Sequence, residues 1–215
     1  MRNFSVKKLF VAGILIFSFV VFGVVIGQAV QLPKNILVFA STDSITTWDP
    51  SAAFSTEATY MPNLYEGLLR AAPLGSEKYF EPLLATDWKV SEDGLVWTFY
   101  LRKGVKFHDG ELFNAQAVKY SVERTMKLGL GAAFIFGPTK EIKVIDDYTV
   151  QFTLKYAAPF DRIVASANGA WIMSPKSAEK GREWFEKGHE AGTGPYALES
   201  WKPDEEIVFK KFEDY

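Results

Sequence analysis

Residues 82–124 constrain the fold more than any other stretch, because they predict strands, turns and a helix in a fixed order. Trp88 stands just before the turn residues 91–94, and apolar side chains then recur at every second position from Leu95 to Leu101. Strict alternation of this kind is typical of a half-buried strand. The stretch therefore predicts a β-hairpin with one apolar face, on which Trp88 and Trp97 are core residues.

Two turns and a helix are predicted to follow this hairpin. Gly104 and residues 108–110 are typical of turns, because glycine adopts positive φ at no steric cost. Asn114 occupies the position of a helix N-cap, and apolar residues recur every four positions over residues 118–126. The pattern predicts an amphipathic helix that begins near Ala115.

Outside this stretch the patterns predict further elements. Residues 36–40 are predicted to form a short buried strand, and residues 142–154 a second hairpin. Residues 129–138 are rich in Gly, Ala and Phe and predict a long loop, a feature that is often functional. Residues 177–187 predict a charged helix, and two strands are expected near the end of the chain.

The predicted strand, turn and helix region also carries a series of short motifs in a fixed order. They are Pro82-Leu83-Leu84-Ala85-x-x-Trp88, Asp93-Gly94, Trp97-Thr98-Phe99, Leu101-Arg102, Gly104-Val105-x-Phe107, Asp109-Gly110 and Ala117-Val118-x-x-Ser121. The series resembles the signature region of the dipeptide, oligopeptide and nickel class of extracytoplasmic solute-binding proteins. These proteins are the capture subunits of ABC importers.

The resemblance continues on both sides and covers nearly all of the chain after Gln31. The flanking matches are Trp48-Asp49-Pro50 and residues 64–68 upstream, and residues 174–176, 192–196 and 201–203 downstream. The resemblance implies a mixed α+β chain with the α/β, periplasmic-binding-protein-like two-lobed fold, of which only part is present. Asp49-Pro50 and residues 192–196 are interpreted as turns that shape a cleft.

The resemblance also implies how the chain divides into domains. Residues 32–61 and 173–215 are expected to be parts of a discontinuous first lobe, with residues 62–172 inserted as an α/β subdomain. A second lobe is expected beyond residue 215. The chain is therefore interpreted as a fragment of a longer protein, with a truncated gene product as the alternative.

The beginning of the chain predicts an export signal. Arg2, Lys7 and Lys8 precede an apolar run over residues 9–26, and residues 27–29 are small or polar, as at a signal-peptidase site. Residues 1–29 are therefore predicted to be a signal peptide, and an uncleaved membrane anchor is the alternative because the run is just long enough to span a bilayer. The chain has no cysteine, which excludes disulfides and a lipid-modified cysteine.

The charge and the histidines argue against two broad function classes. Without the three basic residues of the leader, the 24 Lys and Arg fall to 21 against 26 Asp and Glu, so nucleic-acid binding is not expected. His108-Asp109 and His189-Glu190 are the only histidine positions, and their spacing fits no catalytic or metal motif. We expect His108 to bond locally, to Asp109 or the backbone, and we predict no catalytic residue, metal or cofactor.

The resemblance places the ligand-side residues in loops. The predicted ligand-binding residues are Phe54, Ser55, Thr56, Phe134, Asn168 and Trp171. An indole ring suits a peptide side chain or a sugar ring, because it offers a flat apolar face and one donor. The alternative for Phe134 and Trp171 is that they are core aromatics, since large aromatics are mostly buried.

The predicted function is capture of an oligomeric solute outside the cytoplasm and its delivery to the permease subunits of an ABC importer. The protein is expected to be a periplasmic or extracellular monomer. Peptide is the first choice of ligand, oligosaccharide the second because of the six tryptophans and 15% aromatic content, and a nickel chelate the third. An exported hydrolase and a receptor-coupled sensor domain are the alternatives from other classes.

Overall fold

The computed structural model of this protein describes Pro33 and residues 35–215. The described residues as far as Ser41 and those from Thr42 to Tyr215 belong to two separate units. In the first unit, residues 36–40 form neither helix nor strand, so the strand predicted there is wrong. The predicted export signal lies outside the described residues. Within residues 35–215, no helix has the length and apolar character needed to cross a membrane.

A four-stranded antiparallel sheet is the largest element of the second unit. Strands β3 (Ala85–Val90) and β4 (Val96–Leu101) form the first predicted hairpin, and β5 (Thr139–Asp146) and β6 (Thr149–Leu154) form the second. The strand order is β3-β4-β6-β5, because β4 pairs with β6 and joins the two hairpins. Both predicted hairpins are confirmed.

The predicted amphipathic helix packs near this sheet. Helix α1 (Ala115–Leu128) begins where Asn114 accepts a hydrogen bond from the N–H of Ala117 at 3.0 Å. It ends at Gly129, whose φ of 63° is left-handed and favours glycine. The N-cap, the starting residue and the buried face of the helix are all as predicted.

Most of the buried apolar side chains between Leu68 and Ile172 form one cluster, which we call the sheet cluster. Its buried members are Leu68, Leu69, Leu84, Ala85, Trp97, Phe99, Leu101, Phe107, Phe113, Ala115, Ala117, Val118, Val122, Phe136, Ile142, Val150, Phe152, Leu154, Phe160, Val164, Ala170 and Ile172. Trp97 is buried as predicted, whereas Trp88 is only half-buried. The difference follows from position, because Trp88 lies on the edge strand β3 and Trp97 on the interior strand β4.

The remaining elements are short. Two-stranded sheets form from β1 (Leu69–Ala71) with β2 (Phe80–Pro82) and from β7 (Tyr196–Lys202) with β8 (Glu206–Lys211). The short helices are α2 (Phe160–Val164), α3 (Pro175–Ala178) and α4 (Arg182–Glu186), and 3₁₀ turns span Ser55–Thr59, Met61–Asn63 and Ala133–Phe136. The single helix predicted over residues 177–187 is wrong, because Gly181 at φ 87° separates α3 from α4. The two strands predicted near the end are confirmed.

A second apolar cluster, which we call the loop cluster, is built from irregular segments and short helices. Its buried members are Ile45, Trp48, Ala53, Met61, Leu64, Tyr65, Trp171, Met173, Ala178, Phe185 and Ala191. They come from two stretches of sequence that lie on either side of the sheet cluster. The two points where the chain crosses between the clusters lie side by side, because the N–H of Ile172 donates to the carbonyl oxygen of Glu66 at 2.9 Å.

Candidate functional site

Three loops meet at one exposed surface, which we call the aromatic face: residues 52–56, 130–134 and 168–169. Phe54 and Phe134 lie 6.2 Å apart between ring centroids with an edge-to-face angle of 83°. The two side chains remain 46% and 71% exposed. Burying a large apolar ring away from water lowers the free energy. An exposed pair of this kind is therefore suited to contact with a ligand.

Two glycines allow the loops of the aromatic face to approach each other. A Cβ atom at Gly131 would lie 2.7 Å from the carbonyl oxygen of Ala53, and one at Gly169 would lie 2.6 Å from the Cβ of Ala132. Both glycines also have positive φ, of 53° and 110°. A side chain at either position would therefore push two of the three loops apart.

Glu57 fixes the conformation of residues 54–56. Its buried carboxylate accepts hydrogen bonds from the N–H and hydroxyl of Thr46, at 3.1 and 2.8 Å, and from the hydroxyl of Thr56 at 3.1 Å. The N–H of Phe54 adds a longer bond of 3.4 Å. Burial works to raise the pKa of Glu57, but these bonds outweigh it and lower the pKa, so the carboxylate is charged at neutral pH.

Ser55 has a strained backbone at the centre of this loop. Its φ of 65° lies in the left-handed region, which costs a residue other than glycine about 1 to 2 kcal/mol. Strain of this kind persists only where surrounding contacts hold it, and it concentrates at functional sites. The bonds of Glu57 on both sides of Ser55 supply those contacts.

The six predicted ligand-side residues fall into two groups. Phe54, Ser55, Thr56, Phe134 and Asn168 are exposed around the aromatic face. Trp171 is 3% exposed and packs inside the loop cluster, which matches the core alternative rather than an open indole face. Phe134 does not match its core alternative, because most of its ring is in contact with solvent.

A buried ion pair anchors residues 49–51, which lead into the aromatic face, to helix α1. The guanidinium of Arg124 donates two hydrogen bonds to the carboxylate of Asp49, at 2.6 and 2.7 Å. Asp49 also accepts from the N–H of Ser51 at 2.9 Å, and the Ser51 hydroxyl lies 2.8 Å from that of Thr125. Burial works to lower the pKa of Arg124, but the Asp49 carboxylate outweighs it and raises the pKa, so the guanidinium remains charged.

The segment that follows Trp171 is anchored to the same helix. The N–H of Met173 donates to the hydroxyl of Ser121 at 3.0 Å, and that hydroxyl donates to the carbonyl oxygen of Ala117 at 2.7 Å. Arg124 also lies with its guanidinium 5.5 Å from the ring of Phe185. One helix therefore positions both stretches of the loop cluster and, through them, two of the loops of the aromatic face.

His108 does not form the local hydrogen bond that was expected, because its partners lie 82 and 86 positions away in the sequence. His108 bonds to Glu190 and to the backbone of Gly194, whereas Asp109 accepts hydrogen bonds from the hydroxyls of Ser174 and Ser177. His189 stacks on Trp184 with ring centroids 4.8 Å apart. Within the described part of the chain, no group of three or more His, Cys, Asp or Glu side chains is placed to hold a metal ion.

A cavity of about 420 Å³ lies away from the aromatic face. Its lining is mixed in charge and includes Glu66, Arg70, Arg102, Lys106 and Tyr215. None of the six predicted ligand-side residues lines it. Glu66 is buried there and accepts from the hydroxyls of Thr193 and Tyr215; burial raises its pKa more than these bonds lower it.

Residues that build the site were missed by reasoning from the sequence. Gly131 and Gly169 occur in loop-rich stretches, but nothing in the sequence shows which backbone each would touch. Arg124 was given no role, because nothing in the sequence pairs it with Asp49. Glu57 offered a weak local signal, since an acidic residue three positions after a loop residue is typical of a helix N-terminus.

Comparison with known proteins identifies similar chains over most of this length. The profile of bacterial extracellular solute-binding proteins, family 5 Middle, matches residues 79–215. The "Probable D,D-dipeptide-binding periplasmic protein DdpA" of Escherichia coli (strain K12) is 34% identical over 185 residues, covering 82% of this chain and 36% of that protein. The "Glutathione-binding protein GsiB" of Escherichia coli O6:K15:H31 is 37% identical over 188 residues, covering 85% and 35%.

Solved structures agree with these relatives. The periplasmic binding protein DppA from Helicobacter pylori, solved in complex with the peptide STSA, is 32% identical with a TM-score of 0.66. The match covers 79% of this chain and 37% of that one. The chain thus spans about a third of the length of the relatives it matches. The predicted fold class is confirmed, as a mixed α+β chain with part of the periplasmic-binding-protein fold.

Proposed function

Because this chain belongs to family 5 of the bacterial extracellular solute-binding proteins, we propose that it takes part in capturing an oligomeric solute outside the cytoplasm and delivering it to an ABC-type membrane importer. A peptide is the first choice of solute. Similarity to proteins described as binding a D,D-dipeptide, glutathione and the peptide STSA supports this choice.

The aromatic face is the observation that carries the proposal. Five of the six residues expected to face a ligand come from three separate stretches of sequence, yet they are exposed on loops that touch each other. The loops are held by Glu57, Gly131 and Gly169 rather than by contacts between the exposed rings alone. The strained backbone at Ser55 favours a binding role for these loops over a role as simple connections between secondary-structure elements.

The chemistry of the face favours a peptide over a sugar. Phe54 and Phe134 meet edge to face, so they form an apolar recess for a side chain and not a flat platform on which a sugar ring would stack. Beside this recess the exposed Ser55 offers a hydroxyl group to a polar main-chain group of a peptide. Because Trp171 is buried, we assign it to support of the loops.

The rest of the proposal follows from the family. The protein binds its solute without chemical change, acts outside the cytoplasm and has the permease subunits of the importer as partners. Segments beyond those that this chain shares with its relatives are proposed to supply the second lobe that closes over the solute. The protein is proposed to act as a monomer.

Competition binding to the intact exported protein tests the proposal. Native mass spectrometry would measure binding of tetrapeptides with apolar or charged side chains, of glutathione, of oligosaccharides and of a nickel–histidine chelate. We expect apolar tetrapeptides to bind best and to be recovered intact. Preference for a sugar or a chelate would overturn the choice of solute, and recovery of a cleaved peptide would favour the hydrolase alternative.

Substitution at the aromatic face separates this site from the rest of the protein. Phe134→Ala should weaken binding of the apolar peptide about tenfold, which corresponds to about 1.4 kcal/mol. Tyr79→Ala is the matched control, because Tyr79 is also an aromatic residue with an exposed side chain, 81%, but lies in the β1–β2 connection. Equal effects of the two substitutions would remove the aromatic face from the proposal.

A further inference from the structure

His108 is bonded at both ring nitrogens, and both partners are oxygen acceptors. Nδ1 lies 2.6 Å from Oε1 of Glu190, and Nε2 lies 2.9 Å from the carbonyl oxygen of Gly194. A neutral imidazole has one N–H, whereas an imidazolium has two. With Glu190 ionised, the two acceptors are satisfied together only by the protonated ring.

The pair is shielded from water. The side chains of His108 and Glu190 are each 5% exposed, and the ring of Phe212 lies 4.6 Å from that of His108. In such a setting a short bond between opposite charges is strong, and an unpaired charge is costly. Burial works to lower the pKa of His108, but the bonds to Glu190 and Gly194 outweigh it and raise the pKa.

The other charged groups around the ring do not reverse this balance. Glu66 faces it from the loop before β1 and also favours the charged imidazole. Lys106 lies two positions before His108 in the sequence. Its positive charge is compensated by the ion pair with Asp214 at 2.7 Å. Asp109 turns away to bond the hydroxyls of Ser174 and Ser177.

The pair closes on a strap of backbone, residues 190–194. Oε2 of Glu190 accepts from the N–H of Gly192 at 2.8 Å, and the carbonyl oxygen of Gly192 accepts from the backbone N–H of His108 at 2.8 Å. The strap lies directly on residues 63–65, since a Cβ atom at Gly192 or Gly194 would fall within 3 Å of Leu64 backbone atoms.

The strap is connected to residues 48–53, which lead into the aromatic face. The hydroxyl of Tyr65 accepts from the N–H of Ala191 at 3.1 Å and donates to the carbonyl oxygen of Trp48 at 3.0 Å. Trp48 directly precedes Asp49, which holds residues 49–53 on helix α1. A change at His108 can therefore reach the aromatic face through the strap and Tyr65.

We propose that His108 is a protonation latch, whose doubly protonated ring holds the strap of residues 190–194 in place and whose deprotonation in alkaline medium releases the strap and loosens the aromatic face. A folded-state pKa above the unfolded value means that the stabilisation is complete at pH values below the unfolded pKa. It is then lost as the pH rises through the folded pKa. The latch therefore opens on the alkaline side.

Nuclear magnetic resonance of the full chain, labelled with ¹⁵N at histidine, tests the protonation state directly. The chain has two histidines, so His189→Gln both assigns the spectrum and serves as the matched control. We expect both nitrogens of His108 to carry protons at pH 7 and to titrate above the ordinary histidine range. A neutral ring with one protonated nitrogen at pH 7 would overturn the proposal.

The variant Glu190→Gln tests what the pair holds. Loss of a buried charged hydrogen bond should lower Tm by about 5 °C at pH 6, and the difference from the parent chain should narrow as the pH rises past the titration of His108. His189→Gln leaves the His108–Glu190 pair in place and should show no such narrowing with pH. A difference in Tm between Glu190→Gln and the parent that stays constant with pH would contradict the proposed latch. If Glu190→Gln does not fold, the histidine titration of the parent chain decides alone.

Discussion

The sheet cluster and the loop cluster are held together by different means. The sheet cluster joins two hairpins and one helix, and its buried residues recur at every second position along β4 and β6. The loop cluster depends on polar contacts between distant residues, such as Asp49 with Arg124 and Tyr65 with Ala191. Backbone ladders hold the strands of the sheet cluster in position, whereas the loops depend on these polar contacts for theirs.

The largest expected effect tests the loop cluster at the strap. In Gly192→Ala the added Cβ would lie 1.8 Å from the carbonyl oxygen of Leu64, where neither backbone segment can move freely. We expect the free energy of unfolding to fall by more than about 4 kcal/mol, measured by chemical denaturation. Gly104→Ala is the control, since it has open space around it at φ 77° and should cost only about 1 kcal/mol. Equal costs would show that the strap adjusts.

The next effect tests the sheet cluster. Phe99 is fully buried against Trp97, Phe152 and Phe160, so Phe99→Ala leaves a cavity in a packed core. The expected loss is about 4 kcal/mol in the free energy of unfolding. Phe134→Ala removes the same side chain from an exposed position and should stay within about 0.5 kcal/mol of the parent. A small loss at Phe99 would contradict the tightly packed core that we assign to the sheet cluster.

The smallest of the three effects concerns the ion pair that joins the clusters. Arg124→Met removes the partner of the buried Asp49 carboxylate and should cost about 3 kcal/mol. The double variant Asp49→Asn with Arg124→Met should recover part of this loss, because no charge is then left buried. A double variant no more stable than Arg124→Met would mean that the guanidinium acts by packing on Phe185 and not by pairing.

The sequence predicted the two clusters to very different degrees. Periodicity located β4, β6 and α1 correctly, because burial on one face of a strand or helix leaves a local pattern. The bond between Asp49 and Arg124 joins residues 75 positions apart, and that between His108 and Glu190 joins residues 82 apart. No local pattern records such pairs.

The candidate site shows the same limit. The resemblance pointed to residues on three loops, but it could not show that Gly131 and Gly169 bring these loops into contact. Trp171 is an instructive case, since Ala170 and Ile172 belong to the sheet cluster while Trp171 and Met173 belong to the loop cluster. In the sequence these residues are four apolar residues in a row. Such a run does not reveal which side each residue faces. The division of the chain into a discontinuous lobe and an insertion stays a prediction.

The bridge between Glu66 and Ile172 has a consequence for the order of folding. The hydroxyl of Tyr65 and the N–H of Ala191, which bond in the loop cluster, are 126 positions apart. Closing so long a loop in a disordered chain carries a large entropy cost before any contact rewards it. Once the hairpins and α1 have formed, residues 66 and 172 are already neighbours and the effective loop is short. The sheet cluster should therefore form first and act as the template on which the aromatic face is assembled.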